Sequence, residues 1–97
     1  MANTFKLRVR DTEHVVYEGD IERISSYNEV GPFDVYPMHA NFISILRQQA
    51  QLYNDGKVVK ELKFEQAVLK VKADTANIFL GIEVLFVDEE ITGKKSK

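Results

Sequence analysis

The chain has 97 residues, a mass of 11.1 kDa and a formal charge of −2, which suits one domain with a single hydrophobic core. This mildly acidic balance, with basic residues scattered along the chain, does not favour a nucleic acid or an anionic membrane as the main partner. The absence of cysteine excludes disulfides and thiolate metal sites, and no signal peptide or membrane-spanning segment is recognisable.

The first part of the chain predicts short strands, because apolar and polar residues alternate in it. Residues 5–10 place three apolar groups on one face and three cations on the other, which is typical of a half-buried strand. A second run covers 15–18, and we expect a turn at 18–20 before a strand at 21–27. Ile21 and Ile24 are three residues apart, so both can face the core only if the strand bulges near Glu22 and Arg23.

The second part of the chain continues the alternation. Asn54-Asp55-Gly56 predicts a hairpin turn, because these residue types favour left-handed conformations. In the following strand we expect Val58, Leu62 and Phe64 on one face, with Lys60 as an exception near an edge. Further strands are predicted at 67–72, 78–80 and 84–87, with a turn at 74–77 between the first two.

These segments predict an all-β fold, a sandwich or flattened barrel of about ten short antiparallel strands. Residues 42–46 fit either a turn of helix or a buried strand, and we favour the strand. We expect residues 1–88 to form the β-sandwich domain and 89–97 to form a polar, disordered tail whose like charges repel one another.

The segment Val30–Asn41 contains two prolines, a glycine, two aromatic residues and a histidine, without a regular period. Pro32 and Pro37 fix their own φ angles, and Gly31 permits a positive one. This composition predicts a rigid, apolar-centred loop, which suits contact with another protein better than catalysis.

The same segment carries a family resemblance. Gly31-x-Phe33-x-Val35-Tyr36-Pro37-x-His39-Ala40 resembles the G-E-F-G-[IV]-[LY]-P-G-H-A-P signature of the N-terminal domain of the ε subunit of F-type ATP synthases, called δ in mitochondria. The upstream segment from Tyr17 to Ile24 and the downstream segment from Phe64 to Val71 resemble the same family. The chain departs from the pattern at turn positions, where it carries Asp34, Met38, Asn41 and Gln66-Ala67.

The resemblance implies a rotor subunit without chemistry of its own, with no cofactor and no metal. In the family this sandwich packs on the γ subunit and rests on the ring of c subunits, so that proton- or sodium-driven rotation reaches the catalytic head. It would lie peripherally, on the cytoplasmic side of the bacterial inner membrane. Typical bacterial members continue into a two-helix C-terminal domain, which we expect this chain to lack, either naturally or through truncation.

The resemblance also indicates which residues contact partners. By position, the candidates for the loop facing the c ring are Glu29, Pro32, Phe33, Met38 and His39. The candidates for the γ contact are apolar residues on the outward parity of strands, namely Val16, Val59 and Val68. Without γ, a bare mating face could lead the chain to self-associate.

Several of these residues have a simpler interpretation. A lone histidine such as His39 is more often a structural or surface residue than a ligand, and His14 is its only histidine partner for a metal. Phe33 fits the core as well as an interface, Tyr36 fits the core better, and Glu29 suits a solvated loop.

Two other function classes remain. A stand-alone β-sandwich module that binds proteins or carbohydrates is the alternative, although such modules often display tryptophan, which is absent here. An enzyme is disfavoured, because no nucleophile set, carboxylate pair or phosphate-binding glycine loop is recognisable.

Overall fold

The computed structural model describes residues 3–37 and 40–81, and within them the chain forms seven strands. They are joined in one sheet of order β2-β1-β7-β6-β5-β3-β4. The strands are β1 (Phe5–Arg10), β2 (Val15–Ile21), β3 (Arg23–Tyr27), β4 (Pro32–Val35), β5 (Ala40–Asn54), β6 (Lys57–Ala73) and β7 (Thr75–Leu80). The predicted all-β class is confirmed.

The sheet has two layers because its two longest strands bend together. At Gln48, whose φ is +75°, the pairing of β5 with β6 shifts from Arg47 opposite Gln66 to Gln49 opposite Lys63. Between these two pairs β5 advances by two residues and β6 by three, and an extra residue of this kind bends a strand and increases its twist. We call β2, β1, β7 and the paired halves 40–47 and 66–73 the first layer, and 49–54, 57–63, β3 and β4 the second layer.

One hydrophobic core lies between the layers, and every strand contributes to it. Its buried apolar residues are Phe5, Leu7, Val9, Ile21, Ile24, Val35, Leu46, Ala50, Leu52, Leu62, Ala67, Leu69, Val71, Ala76 and Ile78. Alternation within each strand places the remaining side chains on the two outer faces.

The strand count and one pairing differ from the prediction. Residues 3–37 and 40–81 form seven strands where more, shorter ones were predicted, because β5 and β6, with 15 and 17 residues, each pass through both layers. The pairing of β1 with β7 is parallel, whereas we expected only antiparallel strands. A parallel pair needs a long crossover, and here all the intervening strands provide it.

The predicted turn at 18–20 was wrong. Gly19 lies within β2, paired with Leu7 of β1. The predicted bulge near Glu22 is instead a break between strands, since β2 ends at Ile21 and β3 begins at Arg23. Ile21 and Ile24 are both fully buried as expected, because the chain passes at this point from the first layer to the second.

The hairpin predicted at Asn54-Asp55-Gly56 is confirmed, with Asp55 and Gly56 at φ values of +54° and +70°. Positive φ at both central residues matches the twist of the strands on either side. Leu62 and Phe64 face inward as expected, whereas Val58 is 46% exposed. Pairing shifts by one residue between Leu52 and Tyr53, so Val58 lies opposite Tyr53 on the outer face.

Other segment predictions had mixed outcomes. Residues 42–46 form strand, as we favoured. The turn expected at 74–77 is shorter, because β6 ends at Ala73 and β7 begins at Thr75. Residues 84–87 and 89–97 lie outside the described residues, so the domain boundary at residue 88 stays a prediction. Across 3–37 and 40–81, no helix is long and apolar enough to cross a membrane.

Candidate partner-binding surfaces

The first candidate surface is the turn between β3 and β4, residues 28–31. Asn28 and Gly31 exchange two backbone hydrogen bonds, at 3.0 and 3.1 Å. The Asn28 side-chain oxygen also accepts hydrogen bonds from the backbone nitrogens of Val30 and Gly31, at 2.9 and 3.2 Å. The Asn28 side chain thus takes the place of a backbone carbonyl as hydrogen-bond acceptor, which holds the turn in one conformation.

The same turn is anchored to the first layer. The Asn28 amide nitrogen donates to Ser44 Oγ of β5 at 3.3 Å. Glu29 is exposed, and Val30 is 96% exposed. The turn therefore presents an acidic and an apolar side chain to solvent on a fixed backbone.

Pro32 and Phe33 begin β4, directly after the turn. Pro32 is exposed and pairs with Tyr27, whereas the Phe33 ring is half-buried against the core. For Phe33 the core interpretation therefore has structural support. Glu29 and Pro32 remain accessible at this end of the second layer.

The predicted loop Val30–Asn41 is not one continuous loop. Strand β4 occupies its first part and runs antiparallel to β3, from Pro32 opposite Tyr27 to Val35 opposite Ile24. The segment that follows β4 therefore begins at the opposite end of the layer from the turn 28–31. Met38 and His39 lie outside the described residues, so their contacts stay a prediction.

The expectation that Tyr36 is a core residue was wrong, since its side chain is 49% exposed. The pKa of Arg23 is raised above its ordinary value, mainly by the nearby Tyr36 hydroxyl and to a smaller extent by the Tyr53 hydroxyl. The Arg23 guanidinium also lies over the Tyr53 ring, 3.7 Å from its centroid. This cation–π contact on the outer face of the second layer was not foreseen, because Arg23 and Tyr53 are far apart in sequence.

Much of the rest of that outer face is polar, although Val58 lies on it opposite Tyr53 and is 46% exposed. Ser25 donates to Asp34 at 2.6 Å, and Tyr53 donates to the Gln51 side chain at 3.1 Å. Gln51 in turn donates to Glu61 across the hairpin at 3.4 Å. These hydrogen bonds join β3 to β4 and β5 to β6, whereas Arg23 Nε is buried without a hydrogen-bond partner among the described residues.

The outer face of the first layer is different, because apolar side chains lie next to one another on it. Val68 pairs with Phe79 on one side and with Ile45 on the other. All three are half-buried, and Ile43 on the same face is 61% exposed. We call Ile43, Ile45, Val68 and Phe79 the apolar patch.

Cations border this patch. Arg10 pairs with Phe79, and Lys70 pairs with Ile43. Farther along the same face, Arg8 contacts Glu18 at 2.9 Å and Lys6 approaches Asp20 at 3.8 Å. Such exposed ion pairs contribute only about 0–1 kcal/mol each to stability. They form a hydrated, charged margin next to the apolar patch.

The three valines predicted to contact γ do not form one surface. Val16 is 40% exposed and lies in β2, at the far edge of the first layer from Val68. Val59 is 48% exposed and lies in the second layer, near the hairpin end of β6. Only Val68 belongs to the apolar patch. Its neighbours Ile45 and Phe79 were missed, because their outward parity was recognisable only once pairing was known.

In the described part of the chain, no three His, Asp or Glu residues group together in a way that could hold a metal ion. Asp11 and His14 approach to 3.6 Å within the turn between β1 and β2. Asp11 accepts hydrogen bonds there from the backbone nitrogens of Glu13 and His14, which lower its pKa.

The chain is similar to known proteins in both sequence and fold. The sequence profile of the β-sandwich domain of the ATP synthase delta/epsilon chain matches residues 4–81. An ATP synthase epsilon chain from Clostridium novyi is 28% identical over 98 residues, covering 100% of this chain and 73% of the relative.

Two solved structures share the fold. A chain in the Tetrahymena thermophila mitochondrial ATP synthase, described as central stalk and c ring, matches with a TM-score of 0.63, 10% identity and 77% coverage of this chain. A chain in the Euglena gracilis mitochondrial ATP synthase structure, which contains OSCP, F1 and the c ring, matches with a TM-score of 0.70, 12% identity and 91% coverage. This chain spans 61% of the length of each.

The chain is a two-layer β-sandwich with an exposed apolar patch on one outer face. The family profile matches nearly all of its described residues. The protein belongs to the ATP synthase delta/epsilon β-sandwich family.

Proposed function

We propose that this chain is a non-catalytic central-stalk subunit of an F-type ATP synthase, which couples rotation of the c ring to the catalytic head through γ. The observation that carries this proposal is the family match over residues 4–81. The epsilon-chain relative, matched over 100% of this chain, supports it. A stiff body suits this role, and a two-layer sandwich with one shared core provides it.

For the c ring, the turn 28–31 is the best-supported contact. Its backbone is fixed by Asn28, and it presents Glu29 beside the exposed Val30. The carboxylate could pair with a basic loop of the ring, while Val30 would be covered by it. Met38 and His39 remain candidates from their sequence positions.

For γ, the apolar patch is the best-supported contact. It has apolar neighbours on three adjacent strands and a cationic border, and apolar patches bordered by polar groups are typical of protein interfaces. Val68 lies within it, whereas Val16 and Val59 would contact γ only at separate places.

The subunit would then be peripheral to the membrane, on the cytoplasmic side of a bacterial inner membrane. No direct insertion is required, because c-ring loops and γ would hold it in place. No cofactor enters the proposed role.

The test is co-expression of the full chain with the γ subunit from its own organism, followed by gel filtration at micromolar concentration. We expect the two proteins to co-elute. Separate elution of two folded proteins would refute the rotor role and favour a stand-alone binding module.

The contact with the c ring requires a second measurement. In reconstituted synthase, Glu29→Lys should weaken the coupling of ATP hydrolysis to ion pumping. Asp74→Lys is the matched control, because Asp74 is an exposed acid in the turn between β6 and β7. Equal coupling in both variants would exclude Glu29 from the contact.

A further inference from the structure

The outer face of the first layer is strongly cationic, although the whole chain has a formal charge of −2. Pairing between strands brings the outward side chains of β1, β2, β5, β6 and β7 onto this one face. Among the described residues, two of these side chains are acidic, Glu18 and Asp20. Six are basic and exposed, namely Lys6, Arg8, Arg10, Arg47, Lys70 and Lys72. The face therefore has a formal charge of +4.

The two acids of this face are already paired within the chain. Glu18 contacts Arg8 at 2.9 Å, and Asp20 approaches Lys6 at 3.8 Å. The other four cations have no ion pair within the part of the chain that the structure describes, namely Arg10, Arg47, Lys70 and Lys72. These cations carry the charge that the face presents to a partner.

Three of the four cations line one open cavity. It has a volume of about 520 Å³, and Arg10, Lys70 and Lys72 form part of its lining. Asn77 and Phe79 of β7 also line it. Because Phe79 belongs to the apolar patch as well, cationic and apolar groups meet at this place. A carboxylate in the cavity would accept charge-assisted hydrogen bonds from the cations, and these are stronger than hydrogen bonds between neutral groups.

The charge restricts what can cover the apolar patch. A purely apolar partner surface would remove water from the cations without replacing it, and buried charges without partners are costly. A basic partner surface would be repelled, and such repulsion is one way in which proteins exclude wrong partners. An acidic surface with an apolar centre would satisfy both the cations and the patch.

The shape of the face favours a protein over an anionic membrane. Ile45, Val68 and Phe79 are half-buried side chains of a sheet. They do not project from the surface, whereas the apolar side of an amphipathic helix enters the lipid. A packed apolar centre with a charged border matches the contact surface of a folded protein.

We propose that the outer face of the first layer recognises an acidic protein surface, with carboxylates against Arg10, Lys70 and Lys72 and apolar side chains against the apolar patch. This inference rests on the rotor role proposed above, because γ is the protein expected on this face. It adds that γ carries aspartates or glutamates where it contacts this chain. Opposite charges would also speed the encounter of the two proteins.

Association kinetics between the full chain and γ from its own organism test this charge preference. The test variant is Lys70→Glu, at the cavity. The matched control is Lys63→Glu, which changes an exposed lysine of the same strand in the second layer. Both variants alter the formal charge of the chain by the same amount, so only the place of the new charge differs.

In about 50 mM NaCl, we expect Lys70→Glu to lower the association rate constant about tenfold and Lys63→Glu to change it less than about twofold. The difference should disappear in about 0.5 M NaCl, because salt screens charges on exposed surfaces. Equal effects of the two variants, or faster association of Lys70→Glu, would overturn the inference. Failure of the unmodified chain to bind γ would instead refute the rotor role.

A titration without γ tests the same face independently. The probe is poly-L-glutamate, and the measurement is the NMR shift of backbone amides. We expect saturable shifts along 68–72 and 75–79 and none along 57–63, whereas poly-L-lysine should shift neither region. Equal shifts along 57–63, or undiminished shifts in Lys70→Glu, would contradict the acidic preference. Sedimentation of the chain with phosphatidylglycerol vesicles, without shifts from poly-L-glutamate, would assign the face to a membrane instead.

Discussion

The two outer faces of the sandwich are built from the same kind of strand, yet they differ in what they leave uncovered. On the second layer, Ser25, Asp34 and Gln51 take part in side-chain hydrogen bonds across the face. On the first layer, Val68 lies between Ile45 and Phe79 with no layer above it in the described structure.

A partner protein would gain more binding free energy on one of these faces than on the other. Covering the hydrogen-bonded side chains of the second layer would bring little benefit, because those polar groups are already paired. Covering the apolar patch would remove apolar area from water, at about 25 cal/mol per Å². The first layer is therefore the better candidate for the γ contact, and the following predictions test this contrast.

The largest effect should appear inside the first layer. Leu69→Ala should lower the free energy of unfolding by about 2–5 kcal/mol, since its side chain is fully buried. Val68→Ala, at the next position but on the outer face, should cost less than about 1 kcal/mol. Urea unfolding measures both. Equal costs would mean that Val68 is a core residue and unavailable to a partner.

The next effect concerns γ binding. Val68→Asp should weaken association with γ by about 2 kcal/mol, or roughly thirtyfold, because it places a charge within the apolar patch. Gln49→Asp introduces the same group on the second layer, beside Lys63, and should leave binding unchanged. Isothermal titration gives both affinities. Weakening by Gln49→Asp alone would reverse the assignment of the two faces.

A smaller effect should appear on the second layer. Tyr53→Leu removes the ring beneath Arg23 and should cost about 0.5–1 kcal/mol of stability. The affinity for γ should not change, because Tyr53 lies on the second layer and the γ contact is expected on the first. Tyr27→Leu, a tyrosine of the same outer face, is the control by thermal unfolding. A loss of γ affinity in Tyr53→Leu would show that both faces bind.

The smallest effect belongs to the turn between β1 and β2, outside both faces. Hydrogen bonds from the backbone of Glu13 and His14 lower the pKa of Asp11 from its ordinary 3.8. A carboxyl whose pKa is lower when folded stabilises the fold above its unfolded pKa and loses this contribution as pH falls through its folded pKa.

Stability measured against pH should therefore fall slightly less steeply below about pH 4 in Asp11→Asn than in the parent chain. The side-chain oxygen of asparagine can keep the turn, so the fold should not change. Identical slopes would show that Asp11 is not responsible. γ binding at neutral pH should be the same in both proteins.

Local sequence patterns were enough to predict several elements of the fold. Alternation predicted β1 and the inward-facing half of β6, and Asp55-Gly56 predicted the hairpin, because these signals depend only on neighbouring residues. The turn expected at Gly19 was wrong, because glycine also occurs within strands and local sequence does not reveal the pairing with Leu7.

The candidate sites were less predictable. The sequence predicts Val30–Asn41 as one loop, whereas the pairing of β4 with β3 places the turn 28–31 and the end of β4 at Val35 at opposite ends of a layer. It identified Val68 by parity but not Ile45 and Phe79. These become neighbours only through pairing between strands that are distant in sequence.

The amino-acid sequence is enough to establish the all-β class, the family signature around Gly31 to Ala40 and the alternation that separates core from surface. The bend of two long strands at Gln48, the parallel pairing of β1 with β7 and the apolar residues that lie together on one outer face become evident only in the folded chain. Side-chain alternation is a local property, whereas register and layer depend on contacts among residues far apart in the chain.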